Sequence, residues 1–200
     1  RGLGDSSRPV GGYDKKTMAG DIWRLMHDVL GETRFYVVGH DWGANVAWVF
    51  ALQHPEMLDK LIIVNGAHPI LSERELRENP AQRYASNYFF VFNNILAPGE
   101  QPVDETTTVE YATRRAHTGF VDAEVKAGRY TEADRQAWID AWSQPGSTKA
   151  GLNYYRANKS GPPSGDDAPP VSLADTRIRV PTLVLWGDRD PYFVHANVER

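Results

Sequence analysis

The chain contains no cysteine, no long apolar run and no cluster of basic residues. The absence of cysteine excludes disulfide bonds and thiol chemistry and fits a reducing compartment, so the expected location is cytoplasmic. A membrane-spanning helix needs about 20 consecutive apolar residues, and no stretch approaches that length. The formal net charge is −4, and without a basic run neither nucleic acid nor an anionic membrane is an expected partner.

What the sequence does have is enough apolar material for a folded core. Two hundred residues with 41% apolar content suffice for one domain, or for one domain with an insertion. No Cys, His or Asp cluster has metal-ligand spacing, and the pair Gly2 and Gly4 lacks the third glycine of a dinucleotide-binding motif. We therefore expect no metal and no organic cofactor. The sequence leaves the oligomeric state open, a homodimer included.

The most informative segment is FYVVGHDWGA at residues 35–44. A short apolar run ends in an acid, Asp41, that lies between two glycines, and a helix-like pattern follows at once over residues 44–52. This is the outline of a nucleophile elbow, G-x-Nuc-x-G, with aspartate as the nucleophile. The glycines are expected because the chain turns sharply from strand to helix, and larger side chains would crowd the strained central residue.

Asp41 has two interpretations. An aspartate that precedes a helix is commonly a helix N-cap. The two glycines at the required spacing and the buried type of strand upstream favour a catalytic role instead. In that role the carboxylate attacks a saturated carbon directly and forms an ester with it.

Three short apolar runs predict parallel strands that are buried on both faces, at residues 35–38, 61–64 and 181–186. Helical patterns over residues 18–30 and 44–52 complete an α/β fold with a mostly parallel, doubly wound sheet. The first of these helices is predicted to bury one apolar face, which comprises Ile22, Leu25, Met26, Val29 and Leu30.

Between the second and third predicted strands the pattern is helical. Helices are predicted over 72–77, 84–92, 107–118 and 131–142, and a polar, proline-rich loop over 160–170. An insertion at this point would cover the C-terminal ends of the strands, where ligands bind in open α/β sheets. The predicted organisation is a core over residues 1–68, a helical cap over 69–176 and the second part of the core over 177–200.

The motif GHDWG at residues 39–43 resembles the nucleophile motif of the α/β-hydrolase-fold epoxide hydrolases and of haloalkane dehalogenases. The opening RGLGDS resembles the R-G-x-G-x-S loop of the same fold. The resemblance covers essentially the whole chain, and it implies an α/β-hydrolase fold that acts on a small-molecule epoxide and water. It also assigns the backbone N–H of Trp42, the residue after the nucleophile, to the oxyanion hole.

In epoxide hydrolases two cap tyrosines hold the epoxide oxygen and protonate it as the ring opens. The resemblance assigns these roles to Tyr88, in the Y-x-x-x-F pattern YFFVF, and to Tyr155, in the N-[YW]-Y-R pattern NYYR. A phenol with a pKa of about 10 stays protonated at neutral pH and can donate to an alkoxide. Packing of the cap onto the core is the alternative role for Tyr88. Tyr84 is the alternative to Tyr88 as the proton donor, because the sequence spacing from Tyr88 to Pro98 and Gly99 is longer than expected for the family.

Asp190 lies in a G-x-x-D turn after the third predicted strand, where this fold places the acid that orients the catalytic histidine. Asp188 is the competing acid, and an ordinary polar turn is the alternative for both. The resemblance implies that the histidine lies beyond Arg200 and that an H-G-x-P loop precedes Arg1. The chain is therefore interpreted as a fragment of an epoxide hydrolase that is inactive alone. Its full-length form would open epoxides to vicinal diols through an ester on Asp41.

Two other functions are compatible with the same residues. A haloalkane or haloacetate dehalogenase would use the same attack by Asp41, with the N–H of Trp42 and a cap group binding the halide. A non-catalytic receptor or scaffold on the hydrolase fold would belong to a different class. For that class we expect a degraded nucleophile, whereas Asp41 is intact.

Overall fold

The computed structural model describes residues 1–95, 99, 101–159 and 176–198. Within these ranges, three parallel strands form one sheet in the order β1-β2-β3. Their bounds are β1 (Phe35–His40), β2 (Leu58–Val64) and β3 (Thr182–Leu185). The predicted α/β fold with a parallel sheet is confirmed, and each of the three apolar runs forms a strand.

Helices precede and follow β1, and a longer helical segment connects β2 to β3. The helices in the described ranges are α1 (Lys15–Arg24), α2 (Trp42–Gln53), α3 (Pro69–Glu78), α4 (Pro80–Ala85), α5 (Tyr88–Phe92), α6 (Val109–Thr118), α7 (Val121–Lys126), α8 (Glu132–Ser143) and α9 (Ser147–Asn158). The loop predicted over 160–170 lies outside the described residues. The division into core and cap at residues 68 and 176 stays a prediction. Across the described ranges, no helix has the combination of length and apolar character needed to cross a membrane.

The helical segment differs from its prediction in two places. A single helix over 84–92 is wrong, because the chain forms α4 and α5 with a turn at Ser86 and Asn87 between them. The sequence patterns also missed α7 and α9. Helix α9 starts after Gly146, which adopts a left-handed conformation with φ 77°, and its sequence mixes small and polar residues without a long apolar repeat.

Helix α2 forms the centre of the core. Its residues Ala44, Phe50 and Ala51 are almost fully buried, and the helix packs against both β1 and β2. From β2, Leu61 and Ile63 are fully buried in the same cluster. A helix that is apolar on most of its surface is one that is buried rather than amphipathic, so the apolar content of α2 fits its central position.

The strands are not buried on both faces, contrary to the prediction. Tyr36 and Val38 of β1 are 63% and 65% exposed, and all four residues of β3 are exposed. Successive side chains of a strand point to opposite faces of a sheet. In the described ranges α2 covers one face of β1 and β2, and α1 packs against α2, so the core lies on that face.

The apolar face predicted for the first helix is confirmed at Ile22 and Met26, which pack against the core beside the buried Met18 and Ala19. It is wrong at Leu25, Val29 and Leu30, which are exposed. After α1 the chain continues as a π-helical turn over Leu25–Val29. Such a turn holds more residues than an α-helical turn, so its residues do not keep the spacing of the face of α1.

Two glycines allow the start of α2 to approach the strand ends closely. A Cβ atom on Gly39 would lie 2.6 Å from the carbonyl oxygen of Gly43, and one on Gly66 would lie 2.2 Å from the Cβ of Ala44. A Cβ on Gly43 would meet no atom of its surroundings within 4 Å. Gly43 is therefore not required by packing, contrary to the expectation, whereas Gly66 is required and lies outside the motif.

Substitution Gly66→Ala is expected to lower the free energy of unfolding by about 1–3 kcal/mol, because the new methyl group overlaps Ala44 in a packed core. Gly20→Ala provides the control, since Gly20 lies inside α1 with open space at its Cβ position. That change is expected to stabilise the protein by about 0.5–1 kcal/mol. Urea unfolding of both variants measures the difference, and equal stability would contradict the packing argument.

Candidate active site

Asp41 lies in the turn between the end of β1 and the start of α2, as the elbow motif predicts. Its backbone has φ 52° and ψ −120°, a strained conformation for a residue other than glycine. Its Oδ2 accepts a hydrogen bond of 2.7 Å from the backbone N–H of Trp42. Asp41 is thus also the N-cap of α2, and the two interpretations of this residue describe the same geometry.

A cavity of about 530 Å³ lies at Asp41, a volume suited to a small organic ligand. Trp42 lines it from the core, and Tyr88, Phe89 and Tyr155 line it from the helical segment between β2 and β3. Part of the remaining wall is polar and includes Lys15, Ser72 and Glu73. The cavity therefore joins the carboxylate of Asp41 to an aromatic wall that carries two phenols.

The two predicted tyrosines are close to one another. The ring centroids of Tyr88 and Tyr155 are 5.9 Å apart in an edge-to-face arrangement, and Tyr155 lies 5.0 Å from the ring of Trp42. Tyr84, by contrast, is 81% exposed. Of Tyr84 and Tyr88, Tyr88 is the one that borders the cavity with Tyr155 and Asp41.

Both phenols remain protonated at neutral pH. Burial raises the pKa of Tyr88 far above its ordinary value of 10.0, and the neighbouring Tyr155 and Asp41 raise it further. Burial also raises the pKa of Tyr155, against an opposing hydrogen bond with the side chain of Trp42. Desolvation and a nearby negative charge both disfavour a phenolate, so each tyrosine keeps its proton at this site.

Helix α9 holds Tyr155 in place through its neighbours. The hydroxyl of Tyr154 donates to the carbonyl oxygen of Arg1 at 2.7 Å, and the side chain of Asn158 donates to the carbonyl oxygen of Tyr13 at 3.0 Å. These bonds tie one side of the helix to the N-terminal loop. Adjacent helical residues point in different directions, so the side chain of Tyr155 is left facing the cavity.

Arg156 connects α9 to the helix that carries Tyr88. Its Nε donates to the carbonyl oxygen of Phe92, the last residue of α5, at 3.1 Å. Its Nη1 forms a 2.6 Å ion pair with Glu105. The arginine of the predicted NYYR motif therefore joins the two tyrosine-bearing helices.

Asp190 follows β3 and is held by the backbone of its own turn. Its Oδ1 accepts hydrogen bonds from the N–H groups of Tyr192 and Phe193 at 2.7 and 3.0 Å, and its Oδ2 accepts one from Asn65. Asp188 has a side chain that is 83% exposed and pairs with His195 at 3.2 Å. Asp190 is thus the fixed acid of the two, and its relay role stays a prediction.

The polar partners of the histidines lie away from Asp41 and Asp190. His40 is exposed. The partners of the others are Asp28 for His27, Glu56 for His54, the carbonyl oxygen of Thr176 for His68, Asp122 for His117 and Asp188 for His195. A histidine that joins the two acids, which would make a complete triad, is therefore not seen in the described ranges.

The sequence motifs missed Gln82, a buried residue that links α4 to the loop after Asp190. Its Nε2 donates to Ser86 Oγ at 2.9 Å and to the carbonyl oxygen of Tyr192 at 2.8 Å. Its Oε1 accepts from the N–H of Val194 at 3.0 Å and from Asn197 at 2.7 Å. All four hydrogen-bonding positions of this amide are used. No local sequence signal marks such a residue.

Comparison with known proteins places this geometry in a family. The family model described as the alpha/beta hydrolase fold matches residues 1–200, and the chain belongs to that family. The resemblance to epoxide hydrolases that the motifs indicate is also confirmed. The chain is 30% identical over 195 residues to human epoxide hydrolase 4, with 96% of this chain and 50% of that protein covered.

Two further proteins that this chain resembles are also named epoxide hydrolases. Epoxide hydrolase 2 of Caenorhabditis elegans is 31% identical over 202 residues, which cover 100% of this chain and 54% of that protein. A crystal structure of the Bacillus megaterium epoxide hydrolase with an inhibitor superposes with a TM-score of 0.79 at 31% identity, and covers 100% of this chain and 68% of that one. The chain spans about half the length of the curated relatives it matches.

Substitution Gln82→Ala is expected to lower the free energy of unfolding by about 1–3 kcal/mol, because it leaves buried polar groups without partners. Gln136→Ala is the matched control, since Gln136 is an exposed residue of α8 whose side chain donates to Asp140 on the surface of the same helix. The control is expected to change stability by less than about 0.5 kcal/mol. Thermal unfolding of the two variants checks this, and equal losses would show that the Gln82 network contributes nothing specific.

Proposed function

We propose that the protein containing this chain hydrolyses epoxides to vicinal diols through an ester on Asp41. One observation carries the proposal: the same cavity is bordered by the carboxylate of Asp41, whose backbone is strained, and by the protonated phenols of Tyr88 and Tyr155. The similarity to proteins named epoxide hydrolases supports it.

In the first step Asp41 attacks a ring carbon of the epoxide. Because Oδ2 accepts the hydrogen bond from Trp42, Oδ1 is the oxygen left to act as the nucleophile. A bond forms between Oδ1 and the carbon, and the ring C–O bond breaks. The released oxygen takes its proton from Tyr88 or Tyr155, and the alkyl group stays on Asp41 as an ester.

The tyrosines suit an epoxide better than a haloalkane. An opening epoxide leaves as an alkoxide, which is a strong base and a poor leaving group, so a proton donor lowers the barrier. A halide leaves without a proton. Two neutral phenols at the cavity, with pKa values raised by burial, therefore supply the proton that epoxide opening needs and that halide release does not.

In the second step water attacks the carbonyl carbon of the ester. Negative charge then develops on Oδ2, which already faces the backbone N–H of Trp42, so this N–H acts as an oxyanion donor. The acyl C–O bond breaks, and the oxygen that leaves as part of the diol takes one of the two protons of the attacking water. The other water proton returns to the tyrosine that lost its proton in the first step, and the Asp41 carboxylate is restored. A histidine elsewhere in the full-length protein would take the proton from water, with Asp190 orienting it.

Substitution Asp41→Ala in the full-length protein is expected to abolish diol formation, because it removes the carboxylate on which the proposed ester forms. Mass spectrometry of a rapidly quenched reaction should find the alkyl adduct on the peptide that contains Asp41. The matched control is Asp188→Ala, which removes an exposed acid near the site and should keep most of the activity. An adduct on another peptide, or an active Asp41→Ala protein, would reject the proposal.

Removal of the phenol hydroxyls is expected to slow ester formation. Tyr88→Phe and Tyr155→Phe should each reduce the rate, and the double variant should lose roughly 10²–10⁴-fold, the usual range for general-acid catalysis. Tyr84→Phe is the control, because that side chain is exposed. Single-turnover kinetics with a chromogenic epoxide measure the step. If a double variant released halide from a haloalkane while epoxides stayed inert, the dehalogenase alternative would be correct.

A further inference from the structure

We propose that Asn65 is a positioning residue that fixes Asp190 for hydrolysis of the ester. The inference rests on the proposed function, since it assigns Asn65 to the second step of that reaction. Neither the elbow motif nor the cap motifs include this residue.

Asn65 occupies the same place after β2 that Asp41 occupies after β1. The residues that end the two strands, His40 and Val64, are register partners, and Val64 pairs in turn with Leu185 of β3. Asn65 has φ 41°, so both residues that follow these strands have left-handed backbone conformations. A strained residue at a strand end is kept only when its surroundings hold it, and such residues cluster at active sites.

The side chain of Asn65 bridges two groups of the turn after β3. Its Nδ2 donates to Asp190 Oδ2 at 2.5 Å, and its Oδ1 accepts from the backbone N–H of Gly187 at 3.1 Å. The N–H of Gly187 needs an acceptor, so the amide oxygen must face it and the NH₂ group must face the carboxylate. The orientation of the amide therefore follows from its two partners.

Asp190 is consequently held at both oxygens. The backbone N–H groups of Tyr192 and Phe193 bind Oδ1, and Asn65 binds Oδ2. The carboxylate cannot rotate about its Cβ–Cγ bond without breaking at least one of these hydrogen bonds. Asn65 supplies the contact that comes from outside the turn, and it thereby sets the position of the acid relative to the ends of β1 and β2.

The hydrogen bond between Asn65 and Asp190 is expected to matter for hydrolysis of the ester and not for its formation. Formation of the ester uses Asp41 and the two tyrosines, whereas its hydrolysis uses a histidine that the relay acid must orient. A misplacement of about 1 Å in a catalytic group costs up to roughly 100-fold in rate. Loss of the Asn65 side chain should therefore slow hydrolysis and leave ester formation intact.

The test is Asn65→Gly in the full-length protein. Glycine accepts the left-handed backbone without strain, so the change removes the side-chain contacts and relieves the backbone. We expect ester hydrolysis to slow by roughly 10- to 100-fold, with the rate of ester formation within about twofold of wild type. The alkylated Asp41 peptide should then accumulate at steady state, which quenched-flow mass spectrometry detects.

Asn65→Asp is the second variant. It keeps the size of the side chain and the acceptor for the N–H of Gly187, but it turns a second carboxylate toward Asp190, so the loss in hydrolysis should be larger. The control is Asp188→Ala, because Asp188 lies in the same turn as Asp190 and has an exposed side chain that pairs with His195. In this control the rates of ester formation and of ester hydrolysis should both match those of the wild-type protein.

The outcomes separate the two proposals. If the wild-type protein makes diol, and the Asn65 variants hydrolyse the ester at the wild-type rate or slow both steps equally, the positioning role is wrong and the proposed function stands. If the wild-type protein forms no ester with any epoxide, the proposed function fails and the role of Asn65 fails with it.

Discussion

The close contact between the start of α2 and the ends of β1 and β2 is the constraint on which the candidate site depends. Gly39 and Gly66 leave no room for side chains where Ala44 approaches, and that contact holds the turn in its strained form. The strain at Asp41 persists because the surrounding packing over-determines it. As a result the carboxylate projects from the sheet at the N-terminus of a buried helix, with one oxygen already bound by the backbone.

Parallel strands bring residues that are distant in sequence to one edge. The ends of β1, β2 and β3 are in register, so Asp41, Asn65 and the turn of Asp190 follow three adjacent strands on the same side of the sheet. Ligands bind at this edge in open α/β folds because the loops there are free to diverge. Tyr88 and Phe89 of α5 and Tyr155 of α9 then add an aromatic wall to the cavity.

Sequence reasoning located the elements and the cavity residues that lie in local patterns. The elbow and the strands are visible because strand, turn and helix are adjacent in the chain, and Tyr88 and Tyr155 lie in short motifs. The roles of Asn65 and Gln82 were not predicted, because their hydrogen-bond partners lie 125 and 110 residues away in the sequence. No rule of sequence spacing links such pairs. The exposed faces of the strands and the shifted face after α1 were mispredicted for a different reason: both depend on what packs against an element, not on its composition.

Gln82 also has a mechanical consequence. Its amide binds α4 to the loop that carries Asp190, and separating them would leave several buried polar groups without partners at a cost of about 1–3 kcal/mol each. The stability of helix α4 therefore depends on the loop that follows β3, although the two segments lie 110 residues apart in the sequence.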